Sequence, residues 1–229
     1  MSTELLDAVE LAPPGTPDAA VVWLHGLGAD GHDFPPVVPM LGLGEDHGVR
    51  FIFPHAPHIP VTVNGGMLMP AWFDILGMDF DRRVDEAGLL RSVDQVAALL
   101  DREQERGIAP GRLVLAGFSQ GGAIALHLGL RHPTQLAGIM ALSTYLACDG
   151  DLEAERTAAG AATPVFQAHG TQDPMVPFAL GQAARERLQG LGQTLEWHEY
   201  PMGHEVCPEE LVAAGAWLRG VLGLDEGNR

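Results

Sequence analysis

The stretch Val114–Leu126, "VLAGFSQGGAIAL", joins a short apolar run to a longer apolar segment through a serine flanked by glycines. The run Arg112–Phe118 has the length and the branched side chains of a strand covered on both faces. Residues 120–132 are apolar on almost every side, which indicates a helix buried within the fold. Gly117 and Gly121 stand two positions from Ser119, which gives the pattern G-x-S-x-G between strand and helix. This pattern predicts a serine held at a sharp turn, because the glycines avoid clashes between neighbouring chain segments.

Further short apolar runs on both sides of this stretch predict more buried strands, at Ala20–His25, Val49–Pro54, Leu136–Leu142, Pro164–His169 and Thr194–Tyr200. Helical patterns lie between most of them, at residues 85–107, at Ala179–Leu191 and from Pro208 onward. Strands that alternate with helices predict an α/β fold with a mostly parallel central sheet and helices on both faces. No linker or internal repeat divides the chain. We therefore expect one domain over residues 1–229.

Composition and charge narrow the classes of partner. The chain has 229 residues, 13 basic against 30 acidic, for a formal charge of −17. Such a charge repels phosphate backbones and anionic lipids, so we expect no nucleic-acid partner, and we interpret the charge as favouring solubility. The sequence shows no signal-peptide pattern and no apolar run of spanning length, which predicts a cytoplasmic protein without stable membrane insertion. Cys148 and Cys207 are far apart and have no metal-type spacing, so reduced thiols are expected.

An acid and a histidine follow Ser119 in the order found in many serine hydrolases. A serine hydroxyl needs a base within hydrogen-bond reach, and the hydrolase order is Ser, then acid, then His. Asp173 lies in the loop after one predicted strand, and His204 lies between the next strand and the last helix. The three residues are therefore expected at one edge of the sheet. The pentapeptide alone is also typical of a plain tight connection, and ten histidines and thirty acids make chance placements easy.

Other polar residues near these loops fit structural roles. His169 ends the strand that precedes Asp173, and we interpret it as a supporting residue. His55 and His58 are interpreted as loop residues because no acid or cysteine is grouped with them in the sequence. We therefore expect no metal.

The glycine-rich stretch "HGLGADG", residues 25–31, has two interpretations. Gly26, Gly28 and Gly31 have the spacing of a loop that binds a dinucleotide pyrophosphate. The same loop can instead direct a backbone N–H at an oxyanion during hydrolysis. Pro35 and Pro36 would disturb a helix opening here, and the next strand ends without the acid that binds a ribose hydroxyl. The sequence therefore favours the oxyanion interpretation and no organic cofactor.

Several motifs together resemble those of the acyl-protein thioesterases and the related small bacterial carboxylesterases, which have the α/β-hydrolase fold: "HGLGADGHDF", "NGGMLMPAWFDILGMDF", "DEAGLLRSV", "VLAGFSQGGAIAL", "GTQDPMVP" and "YPMGH". The resemblance runs from about Val21 to the final helix. It implies Ser119 as nucleophile, His204 as base and Asp173 as the acid that orients it. It also implies an oxyanion hole formed by the backbone N–H groups of Leu27 and Gln120.

The resemblance further implies a substrate class. The expected substrate is an ester or thioester of a small molecule or of an acylated protein, and relatives also suggest a homodimer. The segment "NGGMLMPAWFDILGM", residues 64–78, is interpreted as the wall that contacts the acyl chain, through Leu68, Met69 and Trp72. For Trp72 and Phe73 a core position is an equal alternative. Two other classes compete with a serine hydrolase: a protein of the same fold that binds a small ligand without turnover, and a dinucleotide-dependent oxidoreductase.

Overall fold

The computed structural model describes residues 5–44, 47–77 and 83–224. Within them the strands are β1 (Ala8–Leu11), β2 (Ala19–Leu24), β3 (Val49–Pro54), β4 (His58–Val61), β5 (Met67–Pro70), β6 (Leu113–Phe118), β7 (Gly138–Leu142), β8 (Val165–Gly170) and β9 (Leu195–Tyr200). Seven of them form one sheet in the order β1-β3-β2-β6-β7-β8-β9. All neighbours in this sheet pair in parallel except β1, which pairs antiparallel with β3. The predicted, mostly parallel sheet is confirmed.

Two features of the strands were not predicted. The edge strand β1 has only four residues, too few for a clear alternating pattern. Strands β4 and β5 form a separate antiparallel hairpin, with Ile59 opposite Met69. Pro60 lies within β4 and weakens its strand signal, because proline cannot donate to a ladder.

The α-helices of the described residues are α1 (Glu86–Glu105), α2 (Gln120–Arg131), α3 (Leu152–Glu155), α4 (Ala158–Ala162), α5 (Phe178–Gly190) and α6 (Pro208–Leu222). The longer four lie where the sequence predicts helices. Pro35–Leu41, Thr62–Asn64 and Pro110–Arg112 form short 3₁₀ helices. None of the described helices is both long and apolar enough to cross a bilayer.

A hydrophobic core lies on each face of the sheet. Leu113 and Leu115 of β6 pack into the core that also contains residues of α1 and α2. Val114 and Ala116, which alternate with them, pack into the opposite core together with residues of α6. Successive strand side chains point to opposite faces, so burial on both faces explains why β6 is apolar at every one of these positions.

Glycines let the start of α2 approach the sheet closely. A Cβ at Gly121 would lie 2.6 Å from the carbonyl oxygens of Leu24 and His25, at the end of β2. A Cβ at Gly122 would lie 2.7 Å from the Cβ of Thr144, which follows β7. The helix therefore begins directly above the carboxyl ends of the central strands, next to Ser119.

The two edges of the sheet carry charged side chains. On β9, the outer strand at one end, Glu196 and Glu199 are exposed. On β1, at the other end, Glu10 forms ion pairs with Arg102 and Arg106 at 2.8 and 3.0 Å. An edge strand leaves backbone groups unpaired, and charged side chains there oppose pairing with another chain.

Candidate active site

Ser119 occupies the sharp turn between β6 and α2. Its backbone has φ 55° and ψ −120°, in the left-handed region that side chains other than glycine rarely adopt. Its N–H donates to the Leu142 carbonyl oxygen at 2.8 Å, and its own carbonyl oxygen accepts from the Thr144 hydroxyl at 2.6 Å. A Cβ at Gly117 would lie 2.3 Å from the backbone of Gly121, so the turn requires glycine there. These contacts hold Ser119 in a strained conformation at the edge of the sheet.

The structure brings Ser119, His204 and Asp173 into one series of hydrogen bonds. Ser119 Oγ lies 2.9 Å from His204 Nε2, and His204 Nδ1 lies 2.7 Å from Asp173 Oδ2. An ionised carboxylate can only accept a hydrogen bond, so His204 Nδ1 must carry the proton and act as the donor. Nε2 of the neutral ring is then left to accept the Ser119 hydroxyl proton. Residues from three different loops therefore meet at the predicted edge.

Asp173 is held as a carboxylate. Burial alone would raise its pKa, but the hydrogen bond with His204 and those from the N–H groups of Val176 and Met175 bring the pKa below its usual value. Both N–H groups donate to Oδ1 at 2.8 Å, which leaves Oδ2 for the imidazole. The loop after β8 thus orients the carboxylate toward His204.

His169 lies next to Asp173, on the same loop side of the site. Its Nε2 donates to the Val176 carbonyl oxygen at 2.8 Å and lies 3.6 Å from Asp173 Oδ2. Burial lowers the pKa of His169, which favours the neutral ring. Its position agrees with the supporting role that the sequence suggests.

The loop after β2 packs against the serine turn. A Cβ at Gly26 would lie 3.3 Å from the Phe118 ring and 3.4 Å from Ser119 Cβ. Gly28 has φ 78°, and its N–H donates to the Pro70 carbonyl oxygen at 2.9 Å, which attaches this loop to β5. The next helix is a 3₁₀ segment that begins only at Pro35, so the glycines do not open an α-helix as a dinucleotide loop would.

Leu27 and Gln120, the two residues expected to form an oxyanion hole, line the same cavity as Ser119. The Gln120 side chain is engaged elsewhere: its Oε1 accepts from the Trp72 N–H at 2.8 Å, and its Nε2 donates to the Phe73 carbonyl oxygen at 2.7 Å. Gln120 is the first residue of α2, where backbone N–H groups lack partners within the helix. Its backbone N–H is therefore the group suited to hold an anion beside Ser119.

A cavity of about 470 Å³ opens above Ser119. Its lining comes from several loops and from β5: Gly26, Leu27, Ala29, Asp33, Phe34, Val37, Val63, Asn64, Met69, Ile75, Phe118, Ser119, Gln120, Tyr145, Met175, Val176, His204, Glu205 and Val206. Most of these side chains are apolar. The cavity therefore suits a substrate with an apolar portion.

The three residues expected to contact the acyl chain have different positions. Met69 lines the cavity. Leu68, its neighbour on β5, is 65% exposed and is not in the cavity wall, because successive strand residues face opposite sides. Trp72 is buried and donates its indole N–H to the His25 carbonyl oxygen at 2.8 Å, which is the core position that the sequence left as an alternative. Met78, the end of the predicted wall segment, lies outside the described residues.

One group of potential metal ligands lies near the loop after β2. Donor atoms of Asp30, His32 and His55 lie within 4.8 Å of one another. Asp30 Oδ1 is already 2.9 Å from His32 Nδ1, and His55 Nδ1 accepts the Gly31 N–H at 3.2 Å. These bonds account for the geometry without an ion, and the expectation of no metal stays a prediction.

Comparison with known families identifies the chain. Residues 8–222 match the sequence model of the phospholipase/carboxylesterase family. The chain belongs to this family. Among its relatives, acyl-protein thioesterase 1 of Gibberella zeae is 43% identical over 210 residues, which cover 88% of this chain and 89% of that protein. The family resemblance predicted from the sequence motifs is confirmed.

Solved structures of family relatives show the same fold. SOBER1 of Arabidopsis thaliana superimposes with a TM-score of 0.84 at 33% identity, over 89% of this chain and 99% of that one. Acyl-protein thioesterase 2 of Zea mays also gives a TM-score of 0.84, at 30% identity, over 95% of this chain and 99% of that one. The predicted α/β-hydrolase fold is therefore confirmed.

Proposed function

We propose that this protein hydrolyses carboxylic esters or thioesters through an acyl-enzyme formed on Ser119. The observation that carries the proposal is the unbroken series from Ser119 Oγ through His204 to Asp173, at 2.9 and 2.7 Å, beneath the cavity. Membership of a phospholipase/carboxylesterase family supports the reaction type, and relatives named as thioesterases support thioesters among its substrates.

In the first half of the proposed reaction, Ser119 Oγ attacks the carbonyl carbon while its proton passes to His204 Nε2. Asp173 keeps the imidazole oriented and stabilises the imidazolium that forms. The backbone N–H groups of Leu27 and Gln120 donate to the oxyanion, and each such donor can contribute roughly 3–4 kcal/mol in the transition state. The leaving alcohol or thiol departs with the proton from His204, and the acyl group remains on Ser119.

In the second half, His204 Nε2 takes a proton from water, whose oxygen attacks the acyl carbon. The tetrahedral intermediate collapses, the Ser119 oxygen recovers its proton from His204, and the carboxylic acid leaves. Apart from the substrate and the attacking water, every group that takes part in these steps is a side chain or a backbone N–H of this chain, so the proposal requires no cofactor.

The candidate natural substrates are a protein S-acyl group, a lysophospholipid and a small ester. The apolar part of the cavity, which includes Val63, Met69 and Ile75, suits the acyl chain.

We also propose a cytoplasmic location for the protein, and its assembly as a homodimer stays a prediction.

A fluorophosphonate label and a short-chain nitrophenyl ester test this proposal together. We expect the wild type to be labelled and to hydrolyse the ester, and Ser119→Ala to lose the label and roughly 10³-fold or more of the activity. Ser143→Ala is the matched control, because Ser143 also has a positive φ at the same sheet edge but is fully buried.

Activity of Ser119→Ala within tenfold of the wild type would exclude the mechanism. A wild type that binds the ester but is neither labelled nor active would instead support a ligand-binding protein of this fold. Binding of a nicotinamide dinucleotide, followed by fluorescence, would revive the oxidoreductase alternative.

A further inference from the structure

Two acidic side chains lie in the wall of the cavity. Asp33 lies in the loop after β2, and Glu205 directly follows His204; both are exposed, and both line the cavity. Neither takes part in the hydrogen-bond series of Ser119, His204 and Asp173. The proposed mechanism gives them no role.

Each of these acids is adjacent in the chain to a residue on the His204 side of the cavity. Phe34, which follows Asp33, has its ring centroid 5.8 Å from that of Phe118, and the Phe118 ring lies 4.7 Å from the His204 imidazole. Phe34 and Phe118 both line the cavity. Glu205 directly follows His204 in the chain and also lines the cavity. This side thus combines two carboxylates with two aromatic rings.

Among the described residues, no arginine lines the cavity to oppose these two acids. The sequence contains no lysine. Many arginines of the described residues are paired with carboxylates elsewhere, as in the contacts of Arg50 with Glu103 and of Arg131 with Glu155. The formal charge of −17 and the two acids in the wall together favour a negative field at this opening.

We propose that this side of the cavity selects a leaving group that carries positive charge. The inference rests on the proposed function, in which His204 protonates the leaving alcohol or thiol, so that group must lie beside His204. Carboxylates attract an ammonium or guanidinium group, and aromatic faces add a favourable cation–π contact. The same surface disfavours leaving groups with a net negative charge, such as one that carries a sulfonate. Asp33 and Glu205 are specificity-determining residues in this scheme.

Three butanoyl thioesters with leaving groups of similar size test the inference. Their thiols are thiocholine, which is cationic; 3,3-dimethylbutane-1-thiol, its neutral counterpart of the same shape; and 2-mercaptoethanesulfonate, which is anionic. At low salt we expect kcat/KM to fall in that order, with about tenfold between the cationic and the neutral thioester. High salt should reduce the ratio, because exposed charges are screened.

Paired variants assign the effect to the two acids. In Asp33→Asn/Glu205→Gln the cationic-to-neutral ratio should fall to within about twofold of the ratio for hydrolysis of the two thioesters without enzyme, which the acidity of the leaving thiols sets. The control is Asp94→Asn/Glu105→Gln, which makes the same charge change at exposed positions on α1 that do not line the cavity. This control should keep most of the wild-type ratio, because the effect depends on position rather than on net charge.

Equal kcat/KM for the three thioesters in the wild type, or equal ratios in the two double variants, would overturn the inference. Those outcomes leave the proposed function intact as long as hydrolysis depends on Ser119. Peptides that carry an S-butanoyl-cysteine between arginines or between glutamates test whether the cationic leaving group belongs to a protein or to a small molecule. A faster arginine peptide supports an acylated protein, and a preference for thiocholine alone supports a small cationic ester.

Discussion

At the scale of single residues, two buried titratable groups outside the site make the stability of the fold depend on pH in opposite directions. Burial raises the pKa of Glu210 to about 8, and the backbone N–H of Cys207 opposes this shift without cancelling it. Burial, assisted by the charge of Arg131, lowers the pKa of His127 to about 4. The folded state therefore favours a protonated Glu210 and a neutral His127, and ionising either group in the unfolded chain favours unfolding.

The signs of the two effects define a pH window. Glu210 destabilises the fold as the pH rises from its ordinary pKa of 4.5 through about 8, because the unfolded chain releases its proton first. His127 destabilises the fold as the pH falls from 6.5 through about 4, because the unfolded chain binds a proton first. With respect to these two groups, the protein is most stable at mildly acidic pH.

Replacing Glu210 should remove the alkaline part of this dependence. We expect Glu210→Gln to gain on the order of 3 kcal/mol in the free energy of unfolding, relative to the wild type, between pH 5 and pH 8.5. Urea unfolding at several pH values measures this. Glu209→Gln is the control, since Glu209 is adjacent but exposed. Identical pH profiles for Glu210→Gln and the wild type would contradict the assignment.

Met69 and Leu68 provide a second test with neighbouring residues. Because Met69 lines the cavity, Met69→Trp should shorten the longest acyl chain that the protein hydrolyses efficiently, and each excluded methylene is worth about 0.8 kcal/mol. Leu68→Trp should leave the chain-length profile of kcat/KM unchanged, because Leu68 faces solvent. Equal changes in both variants would favour the sequence prediction, in which both residues contact the acyl chain.

At the scale of secondary-structure elements, the close contact between α2 and the sheet controls the geometry of the site. We expect Gly121→Ala to cost about 2–3 kcal/mol or more in the free energy of unfolding, and to reduce activity, because its Cβ would clash with the Leu24 and His25 carbonyl oxygens. Gly190→Ala at the end of α5 is the control, because a Cβ there has open space. Thermal unfolding and ester hydrolysis measure both variants, and wild-type behaviour of Gly121→Ala would contradict this packing.

Elements with a regular pattern were predictable from the sequence, and those without one were not. Strands such as β6 are continuous apolar runs, so their positions and the loops after them, which carry Ser119, Asp173 and His204, follow from the pattern. The cavity wall depends instead on loops and on the hairpin β4–β5, where Pro60 and short strands hide the alternation. Leu68 and Met69 are both apolar, so only the pairing of β5 shows which of them faces the cavity.

At the scale of the whole molecule, one sheet connects β1 near the start of the described residues with β9 near their end. We propose that the chain folds as one domain, and a cooperative unfolding transition is its expected signature. Tryptophan side chains lie in both hydrophobic cores: Trp72 packs on one face of the sheet, and Trp23 and Trp217 pack on the other. Urea transitions followed by tryptophan fluorescence and by far-UV circular dichroism should therefore coincide, and separated midpoints would indicate two domains.

The charged edges of the sheet constrain how copies of this protein can associate. Two molecules that joined their β9 strands would bring glutamates of one copy toward glutamates of the other, and β1 offers only four residues for pairing. Growth by strand addition, which leads to open-ended fibres, is thus opposed at both ends of the sheet. A homodimer of this protein would then use a surface other than these two strands, and an isologous contact between such surfaces would close at two copies.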